Sequence, residues 1–519
     1  MTSHLLACGR DIETGLKRNR TRCMNVQPSR KSQEQGRRSQ EPVVVPATNK
    51  GTRKLLPKDF KPIFYQPKQL ILQDEREHRY FQLFSDKMAP HLAGYFESDL
   101  WSRLVLQACE RDMSIRHAII ALAALKSTSE VVACLGDNQA IRHIDAQTHH
   151  HFALEQYSKA IQSMQKAALD GKQDLRTTLI TCIVIICFET YSGNYESATR
   201  QTIIGLDLIE ARTEAEQGNR LKPPSVEEEL YNAFARLDIQ AMSFIDPRPP
   251  ARHLILKDVG REQVIAMPEQ FSNWKEARMY LSLVGGRMLH FIASILPDNR
   301  SKGCLTFDVS IPLPSEFEDE RSMHVQELDR WTNSFRHLKD SITTETDEDF
   351  LAAAGLELQC ITCNFSSAVI RSEGQQYADT KSLMPHFEKM VSLSEAMLTH
   401  PRVLAEKTMY AFEMQVICPL YAVAWRCPQR TLRRKAIKLL LDYPRKEALW
   451  DSVVVGKLAE WIMGLEEEGL KDEYVPEERR CTGVDIVNFN MLARMAQVRC
   501  LVSEKESGAW IRKETVITW

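Results

Sequence analysis

The sequence predicts an all-α fold, and three observations indicate it. From about residue 68 onward, apolar residues recur three and four positions apart, which is the spacing of an amphipathic helix. Period-two alternation is nearly absent, and only CLTFDVSI, residues 304–311, hints at a strand. No fixed repeat period is visible, which argues against a regular solenoid. We therefore expect a large, irregular multi-helix domain over residues 59–519.

The first 58 residues differ from the rest in composition and in charge. They are rich in Arg, Ser, Gln and Pro, and they bury too little apolar surface to offset the entropy of ordering, so a disordered arm is predicted over residues 1–58. The arm carries a net charge of +9 and the rest of the chain −11. A basic arm on an acidic body indicates a polyanionic partner or a localisation signal.

The composition favours an intracellular, soluble protein. The chain has 519 residues, of which 43% are hydrophobic and 26% charged. Its thirteen cysteines are spread widely, and several lie in apolar runs, as buried thiols do in a reducing compartment. No apolar segment typical of a secretory signal stands at the N-terminus. The longest apolar run, at residues 179–188, is shorter than the about 20 residues that span a bilayer, so a buried helix is expected there.

Five helices are predicted between residues 98 and 212. Ser98 or Asp99 is the expected N-cap of the first and Ser114 that of the second, and these two form an αα-hairpin. The fourth should end near Gly193 and Asn194. The five segments are SDLWSRLVLQACER, SIRHAIIALAALKS, HHHFALEQYSKAIQSMQKAAL, DLRTTLITCIVIICFETYSGN and YESATRQTIIGLDLIEAR.

Loops are predicted where Gly, Pro and charged residues interrupt the helical spacing, near 215–227, 246–253 and 297–320. Between the first two loops another helix opens, with Ser225 and Glu228 at the spacing of a capping box. Beyond the third loop, amphipathic helices are expected to continue to the C-terminal residues.

Motifs of catalysis are missing from the sequence. It has no phosphate-binding loop, no H-E-x-x-H and no G-x-S-x-G. The two glycines in Val284–Arg287 lie between helical segments and predict close helix packing or a kink. Cys360 and Cys363 form C-x-x-C without the strand of a thioredoxin-like site or the second ligand pair of a zinc site. Two thiols one turn apart on a buried helix are therefore expected.

The clustered histidines and glutamates are also interpreted as structural residues rather than as a metal or catalytic site. Metal ligands on a helix share a face, whereas the three consecutive residues His149–His151, with His143 upstream, point in different directions. A partly solvated helix start is expected for them. Glu227–Glu229 is interpreted as charge at a helix N-terminus and Glu466–Glu468 as a solvated face.

A second basic stretch follows residue 428, and two interpretations of it are open. Its basic side chains could form a nucleic-acid helix. The favoured interpretation is structural, with an apolar stripe facing the core, basic side chains pairing with acidic neighbours, and Pro428 and Pro444 near the helix ends. The basic residues are Arg430, Arg433, Arg434, Lys435 and Lys438, and the stripe is Leu432, Ala436, Leu439 and Leu440.

Four segments resemble, in order, signature blocks of fungal binuclear zinc-cluster transcription factors. Gly94–Leu125 has the Tyr-Phe, Trp, Leu-Gln and Ile-Arg-His-Ala series, and Thr178–Ala198 has the Phe-Glu-Thr and Gly-Asn-Tyr elements. Glu229–Asp246 is similar to the third block. Cys418–Ser452 resembles the last, with Cys-Pro-Leu, a double Arg and Glu-x-x-Trp-Asp. The resemblance implies a nuclear regulator with an all-helical regulatory domain that follows an N-terminal zinc cluster.

The zinc cluster of that family does not match this chain. Six cysteines hold two zinc ions in the family, whereas only Cys8 and Cys23 precede Cys109 here, too few thiolates to saturate even one zinc ion. No metal or other cofactor is therefore expected. The arm is expected instead to contact DNA phosphates without base specificity or to direct nuclear import. The residues concerned are Lys17, Arg18, Arg20, Arg22, Arg37 and Arg38.

The sequence thus predicts a nuclear transcription regulator that controls a metabolic or secondary-metabolite gene set. Its expected partners are the transcription machinery or co-regulator proteins, with DNA bound non-specifically and no membrane. A helical scaffold or inhibitor that sequesters related factors is the first alternative, and an enzyme with a site in the helical core is the second. Residues 30–58 show no apolar heptads, so no oligomeric state is predicted.

Overall fold

Helices dominate the structure, which confirms the predicted all-α class. The predicted arm at 1–58, the stretch 304–311 and the cap Ser225 lie outside the described residues. This computed structural model describes residues 72, 74–96, 98–133, 139–171, 174–217, 228–244, 246–295, 312–370, 372–375, 380–405, 409–490, 493–503 and 509–519. Within those ranges, no helix is both long enough and apolar enough to cross a membrane.

The N-terminal half is a stack of helices packed around one central helix that is almost entirely buried. Its helices are α1 (Glu75–Leu83), α2 (Ala89–Ala93), α3 (Val105–Arg111), α4 (Met113–Ala133), α5 (Gln139–Leu169), α6 (Leu175–Tyr191), α7 (Tyr195–Gln217) and α8 (Glu228–Phe244). The run Leu179–Phe188 in α6 is buried on every side, as its lack of a polar face requires. α4 packs along both α5 and α6. This arrangement confirms the predicted buried helix and the short connection between α3 and α4.

Side chains at the helix ends confirm one prediction and correct two. The end of α6 is as expected, because Gly193 has φ +78° and the Asn194 N–H donates to the Glu189 carbonyl at 2.8 Å. The predicted cap Ser114 is wrong, since Asp112 Oδ1 accepts the Ser114 N–H at 2.8 Å. The prediction of Ser98 or Asp99 as a side-chain cap is also wrong. Asp99 makes no capping bond, and Ser98 Oγ lies 3.3 Å from a Glu229 carboxylate oxygen.

The middle of the chain adds a second helical core. Its helices are α9 (Pro250–Leu256), α10 (Arg261–Ile265), α11 (Trp274–Ile295), α12 (Glu318–Asp340), α13 (Phe350–Ala368), α14 (Met384–Thr399) and α15 (Pro401–Leu404). α11 packs against both α12 and α13 around buried aromatic rings such as Phe291 and Trp331. The Trp331 Nε1–H donates to the Ala277 carbonyl at 2.8 Å, so the buried indole has a partner.

Two helices begin inside segments predicted as loops. α9 begins at Pro250, within the predicted loop 246–253, because proline suits the first turn of a helix, where its missing N–H has no partner to lose. α12 begins at Glu318, within the predicted loop 297–320, and three acidic residues occupy its first turn. In both places the composition correctly predicts that the helical pattern is interrupted, but the next helix begins before the predicted loop ends.

A small sheet joins the last helices to the rest of the body. Strand β1 (Met409–Ala411) pairs in parallel with β2 (Arg445–Glu447), which pairs antiparallel with β3 (Trp450–Asp451). Helices α16 (Ile417–Arg426) and α18 (Ser452–Glu466) pack against it, and α17 (Arg430–Asp442) packs on both of these helices. Asp451 caps α18 by accepting the Val453 N–H at 3.0 Å. The predicted core stripe of α17 is confirmed in Ala436, Leu439 and Leu440, which are buried.

The C-terminal residues contradict the prediction that helices continue to the end of the chain. Strands β4 (Thr482–Asn490), β5 (Met495–Ser503) and β6 (Trp510–Thr518) form an antiparallel meander packed against α18. Ala496, Val498 and Cys500 are buried, and more polar, partly exposed residues alternate with them along β5. This is the period-two pattern of a half-buried strand. The pattern is short and follows a long series of helices, so the prediction of helices to the end of the chain is wrong here.

Candidate functional site

A small cavity lies where helices from three parts of the chain meet. α8, α11 and α13 provide most of its wall, and Met414 and Cys418 complete it. Its volume is about 60 Å³, which is below the roughly 150 Å³ of an engineered cavity that binds benzene. The lining is mainly apolar: Ile239, Met242, Ser243, Asp246, Leu289, Ile292, Ala293, Gln359, Thr362, Cys363, Ser366, Val369, Met414 and Cys418. In this conformation the cavity admits only a few atoms.

The one carboxylate on the cavity wall belongs to a buried charged cluster. Arg248 Nη2 lies 2.6 Å from Asp246 Oδ2 and 2.5 Å from Asp238 Oδ1, so a single guanidinium holds two carboxylates. Burial alone would raise the pKa of Asp238, but Arg248 and the neighbouring His290 lower it to about 2. Asp238 therefore stays ionised, and the contacts of Arg248 with both aspartates connect α8 to the segment that leads into α9.

Two histidines complete this cluster. The Nδ1 atoms of His253 and His290 are 3.0 Å apart, and His290 Nε2 lies 3.0 Å from Asp238 Oδ2. Burial lowers the pKa of His253 to about 4, helped by Arg248 and opposed by Asp246. A neutral His253 can share one proton with His290 across the Nδ1 contact. Because each polar group already has an internal partner, the cluster can hold α8, α9 and α11 together.

A second buried cluster joins α8 and α11 to the segment after β1. Arg236 Nε lies 2.7 Å and Arg278 Nη2 2.5 Å from the same Glu413 oxygen. The Arg278 guanidinium also covers the ring of Phe96 at 4.2 Å. Burial and the neighbouring Arg236 together lower the pKa of Arg278 to about 10, against the opposing effect of Glu413. Phe96 comes from the first signature block and Arg236 from the third, so this contact brings two blocks together.

The second signature block has its own polar anchor on α6. The Tyr157 hydroxyl donates to a Glu189 carboxylate oxygen at 2.5 Å, and Asn194 Nδ2 donates to the other oxygen at 2.8 Å. Burial raises the pKa of Tyr157, and the Glu189 carboxylate raises it further. Glu189 and Asn194 are the polar residues of the Phe-Glu-Thr and Gly-Asn-Tyr elements. These elements therefore fix the turn between α6 and α7.

The basic stretch on α17 and the acidic run at the end of α18 are partners. Arg433 Nη2 lies 2.9 Å and Arg480 Nη1 3.0 Å from Glu466 Oε2, and all three side chains are buried. Arg430 and Arg434 pair with Glu467. The predicted solvated face at Glu466–Glu468 is therefore wrong for its first two members and holds only for the exposed third. The favoured structural interpretation of the basic stretch is confirmed.

The remaining sequence candidates are structural where the chain is described. Cys360 and Cys363 are buried on α13, and burial raises the pKa of each thiol to about 12, as expected for inert core cysteines. Gly285 packs closely on α13, where an added Cβ would lie 3.0 Å from Cys363 Sγ, which confirms the predicted helix packing. Glu228 and Glu229 lie in the first turn of α8, as predicted.

His149–His151 are not at a helix start as predicted, since α5 begins at Gln139. They are partly solvated, and His149 Nδ1 lies 2.5 Å from the Tyr80 hydroxyl oxygen. Over the described ranges, no group of three or more His, Cys, Asp or Glu residues could hold a metal ion. The two cysteines ahead of Cys109 do not fit the six-cysteine zinc cluster either.

The basic residues predicted to contact phosphate or direct nuclear import lie outside the described residues. They are Lys17, Arg18, Arg20, Arg22, Arg37 and Arg38. Sequence reasoning missed the partners that the structure brings together, above all Glu413, His253 and His290. The available signal was a charged or polar residue at a core position of an amphipathic helix. The spacing of residues along the chain does not show which distant side chain such a residue contacts.

Comparison with known families finds a domain of transcription regulators in part of this helical body. Residues 79–257, about a third of the chain, match the model of the fungal specific transcription factor domain. The resemblance seen in the sequence is confirmed over this segment. The match includes the first three signature blocks, and the fourth block, Cys418–Ser452, lies beyond it. No curated protein and no solved structure matches the chain.

Proposed function

We propose that this protein is a nuclear regulator of a fungal gene set, metabolic or secondary-metabolite in kind, and that it acts through its helical body. The family match over residues 79–257 carries the proposal. The cluster at Glu413 supports it, because it joins two signature blocks into one body that can present a surface to co-regulators. The net charge of +9 on residues 1–58 gives a route to the nucleus and to DNA phosphates.

The arm is tested by neutralising its basic residues in the full-length chain fused to a fluorescent protein. Replacing Lys17, Arg18, Arg20, Arg22, Arg37 and Arg38 by Gln should shift the fusion from the nucleus to the cytoplasm. The control replaces six exposed basic residues of the helical body by Gln and should leave the fusion nuclear: Arg336, Lys381, Lys389, Lys435, Lys438 and Lys471. A parent fusion that stays outside the nucleus under every growth condition would contradict the proposal.

A scaffold that sequesters related factors is the second candidate function. The observation that favours it is the presence of only Cys8 and Cys23 before Cys109. The two functions differ in where the protein is found when transcription changes. Chromatin immunoprecipitation of a tagged full-length chain should recover promoters of the regulated genes if it acts on DNA, directly or through a co-regulator. A sequestering scaffold would alter the same transcripts without promoter occupancy, and its related factor would co-purify with it.

A further inference from the structure

Strand β6 is the open edge of the C-terminal sheet. The sheet order is β4-β5-β6, and within the described chain no strand pairs with the outer side of β6. On the other outer strand, the ring of Phe489 of β4 lies directly against Gly193 and 5.6 Å from the Tyr195 ring between centroids. β6 exposes large apolar side chains, with Trp510 at 55% and Val516 at 49%. Such an edge is a template for another strand.

The ladder between β5 and β6 shows which backbone groups of β6 face outward. The Trp519 N–H donates to the Arg494 carbonyl at 3.1 Å, so these two residues form a hydrogen-bonded pair that continues the β5–β6 register. Hydrogen-bonded and non-hydrogen-bonded pairs alternate along an antiparallel ladder. The N–H and C=O groups that point away from β5 therefore belong to Trp510, Arg512, Glu514, Val516 and Thr518.

We propose that β6 pairs antiparallel with β6 of a second copy of this chain, about a two-fold axis at Lys513. This register places Arg512 opposite Glu514 of the second copy, and Trp510 opposite Val516 of the second copy. All four residues have outward-facing backbone groups, so each of these pairs is hydrogen-bonded. They also share one face of the sheet. The dimer would contain two opposite-charge pairs and two aromatic–β-branched pairs, both favourable across strands.

Charge complementarity selects this register over its neighbours. An axis at Glu514 would place that carboxylate opposite its own copy, and an axis at Arg512 would do the same for the guanidinium. Both side chains lie at the surface, with Arg512 55% and Glu514 37% exposed. Within one chain, Arg512 Nη2 lies 3.5 Å and Gln497 Nε2 3.1 Å from Glu514 Oε1, so the dimer would exchange or share these contacts. The like-charge contact left by the proposed register is Lys513 opposite Lys513 of the second copy, on the other face of the sheet. Removing that like-charge contact should strengthen the dimer, whereas reversing Arg512 or Glu514 should weaken it.

The test is sedimentation analysis of the full-length chain over roughly 1–100 μM, where a modest interface would dissociate. The parent chain should dimerise with rising concentration. Arg512→Glu alone or Glu514→Arg alone makes both charge pairs repulsive, so each variant should dimerise at least ~10-fold more weakly. An equimolar mixture of the two variants should dimerise again, because each chain then meets the opposite charge. Lys471→Glu, an exposed position outside the sheet, should behave like the parent chain.

Two further variants test the backbone and the axis. Val516→Pro removes an N–H on the open edge but none used by β5, so it should abolish the dimer while the far-UV circular dichroism of the chain stays unchanged. Lys513→Thr removes the like-charge contact and should tighten the dimer roughly 1.5- to 5-fold. A parent chain that stays monomeric throughout would overturn the proposal. So would a mixture of the two charge variants that stays monomeric, or a dimer that survives Val516→Pro.

Discussion

Glu466 shows at the scale of one residue how this body tolerates charge in its interior. Its side chain is fully buried and contacts both Arg433 and Arg480, and its Oε1 accepts the Cys481 N–H at 2.8 Å. A buried charge is costly unless it is paired and hydrogen-bonded, and here both conditions hold. The contact joins α17, α18 and the segment that leads into β4.

Neutralising this carboxylate should be strongly destabilising. Glu466→Gln leaves two buried guanidinium groups without their shared negative charge, and we expect the free energy of unfolding to fall by about 3–5 kcal/mol. Glu468→Gln, two residues along and exposed, should change it by less than about 0.5 kcal/mol. Urea unfolding of both variants measures the difference. Equal midpoints for the two variants would show that the buried cluster contributes nothing.

His253 should make the stability of the protein fall in mild acid. Its pKa is 6.5 in an unfolded chain but about 4 beside His290, Arg248 and the two aspartates of the cluster. As the pH drops from about 6.5 to 4, His253 binds a proton in the unfolded chain but stays neutral in the folded chain. The free energy of unfolding therefore falls over that interval. The full loss from this residue is roughly 3 kcal/mol.

Removing the imidazole should remove this pH dependence. His253→Asn is expected to be less stable than the parent at pH 7, with the gap between them narrowing toward pH 4. His337→Asn changes an exposed histidine and should keep the parental slope. Unfolding midpoints measured across this pH interval make the comparison. Parallel curves for His253→Asn and the parent would contradict the assignment.

Single residues also show where sequence reasoning stopped. The apolar stripe of α17 was predicted because it has the period of a helix, whereas a run of three glutamates has the composition of a surface. Glu466 can be buried because its carboxylate pairs with Arg480, 14 residues later in the chain, and with Arg433 on a neighbouring helix. Spacing predicts which face of a helix is apolar, but it does not predict which distant charge meets that face. The histidine pair and Glu413 were missed for the same reason.

At the scale of elements, two helical glycines predict opposite effects of one substitution. An added Cβ at Gly205 on α7 would lie 2.0 Å from the ring of Phe234 on α8, whereas at Gly464 on α18 it would meet nothing within 4 Å. Gly205→Ala should therefore destabilise by about 1–3 kcal/mol through overpacking. Gly464→Ala should stabilise by about 0.5–1 kcal/mol through helix propensity. Thermal midpoints that move in the same direction would refute this packing of α7 on α8.

The C-terminal sheet is the element that the sequence analysis did not foresee. Ala496, Val498 and Cys500 alternate with Gln497 and Arg499, so a period-two signal was present. It is short, and it follows a long series of helices, which favoured extending the helical trend. α6 was predicted easily by contrast, because ten consecutive apolar residues leave a helix no solvated face. The length of the apolar pattern over a whole element, more than any one residue, explains why α6 was predicted and the C-terminal sheet was not.

For the whole molecule, the signature blocks share a physical role. Phe96 and Arg236 meet at the Glu413 cluster, and Glu189 and Asn194 fix the turn between α6 and α7. Glu413 and the fourth block lie beyond the segment that matches the family model, yet the residues around Glu413 complete the core of that segment. The packed unit that contains the matched segment therefore extends past residue 257.

The most direct test of the account is the response of transcription to rapid loss of the protein. A degradation tag on the full-length chain, induced in living cells and followed by sequencing of newly made RNA, separates immediate from secondary effects. If the protein regulates transcription, a defined gene set should change soon after depletion, before growth is affected. The untagged strain given the same inducer should show no such change. An RNA profile that stays unchanged after complete depletion, in every condition where the protein is expressed, would contradict it.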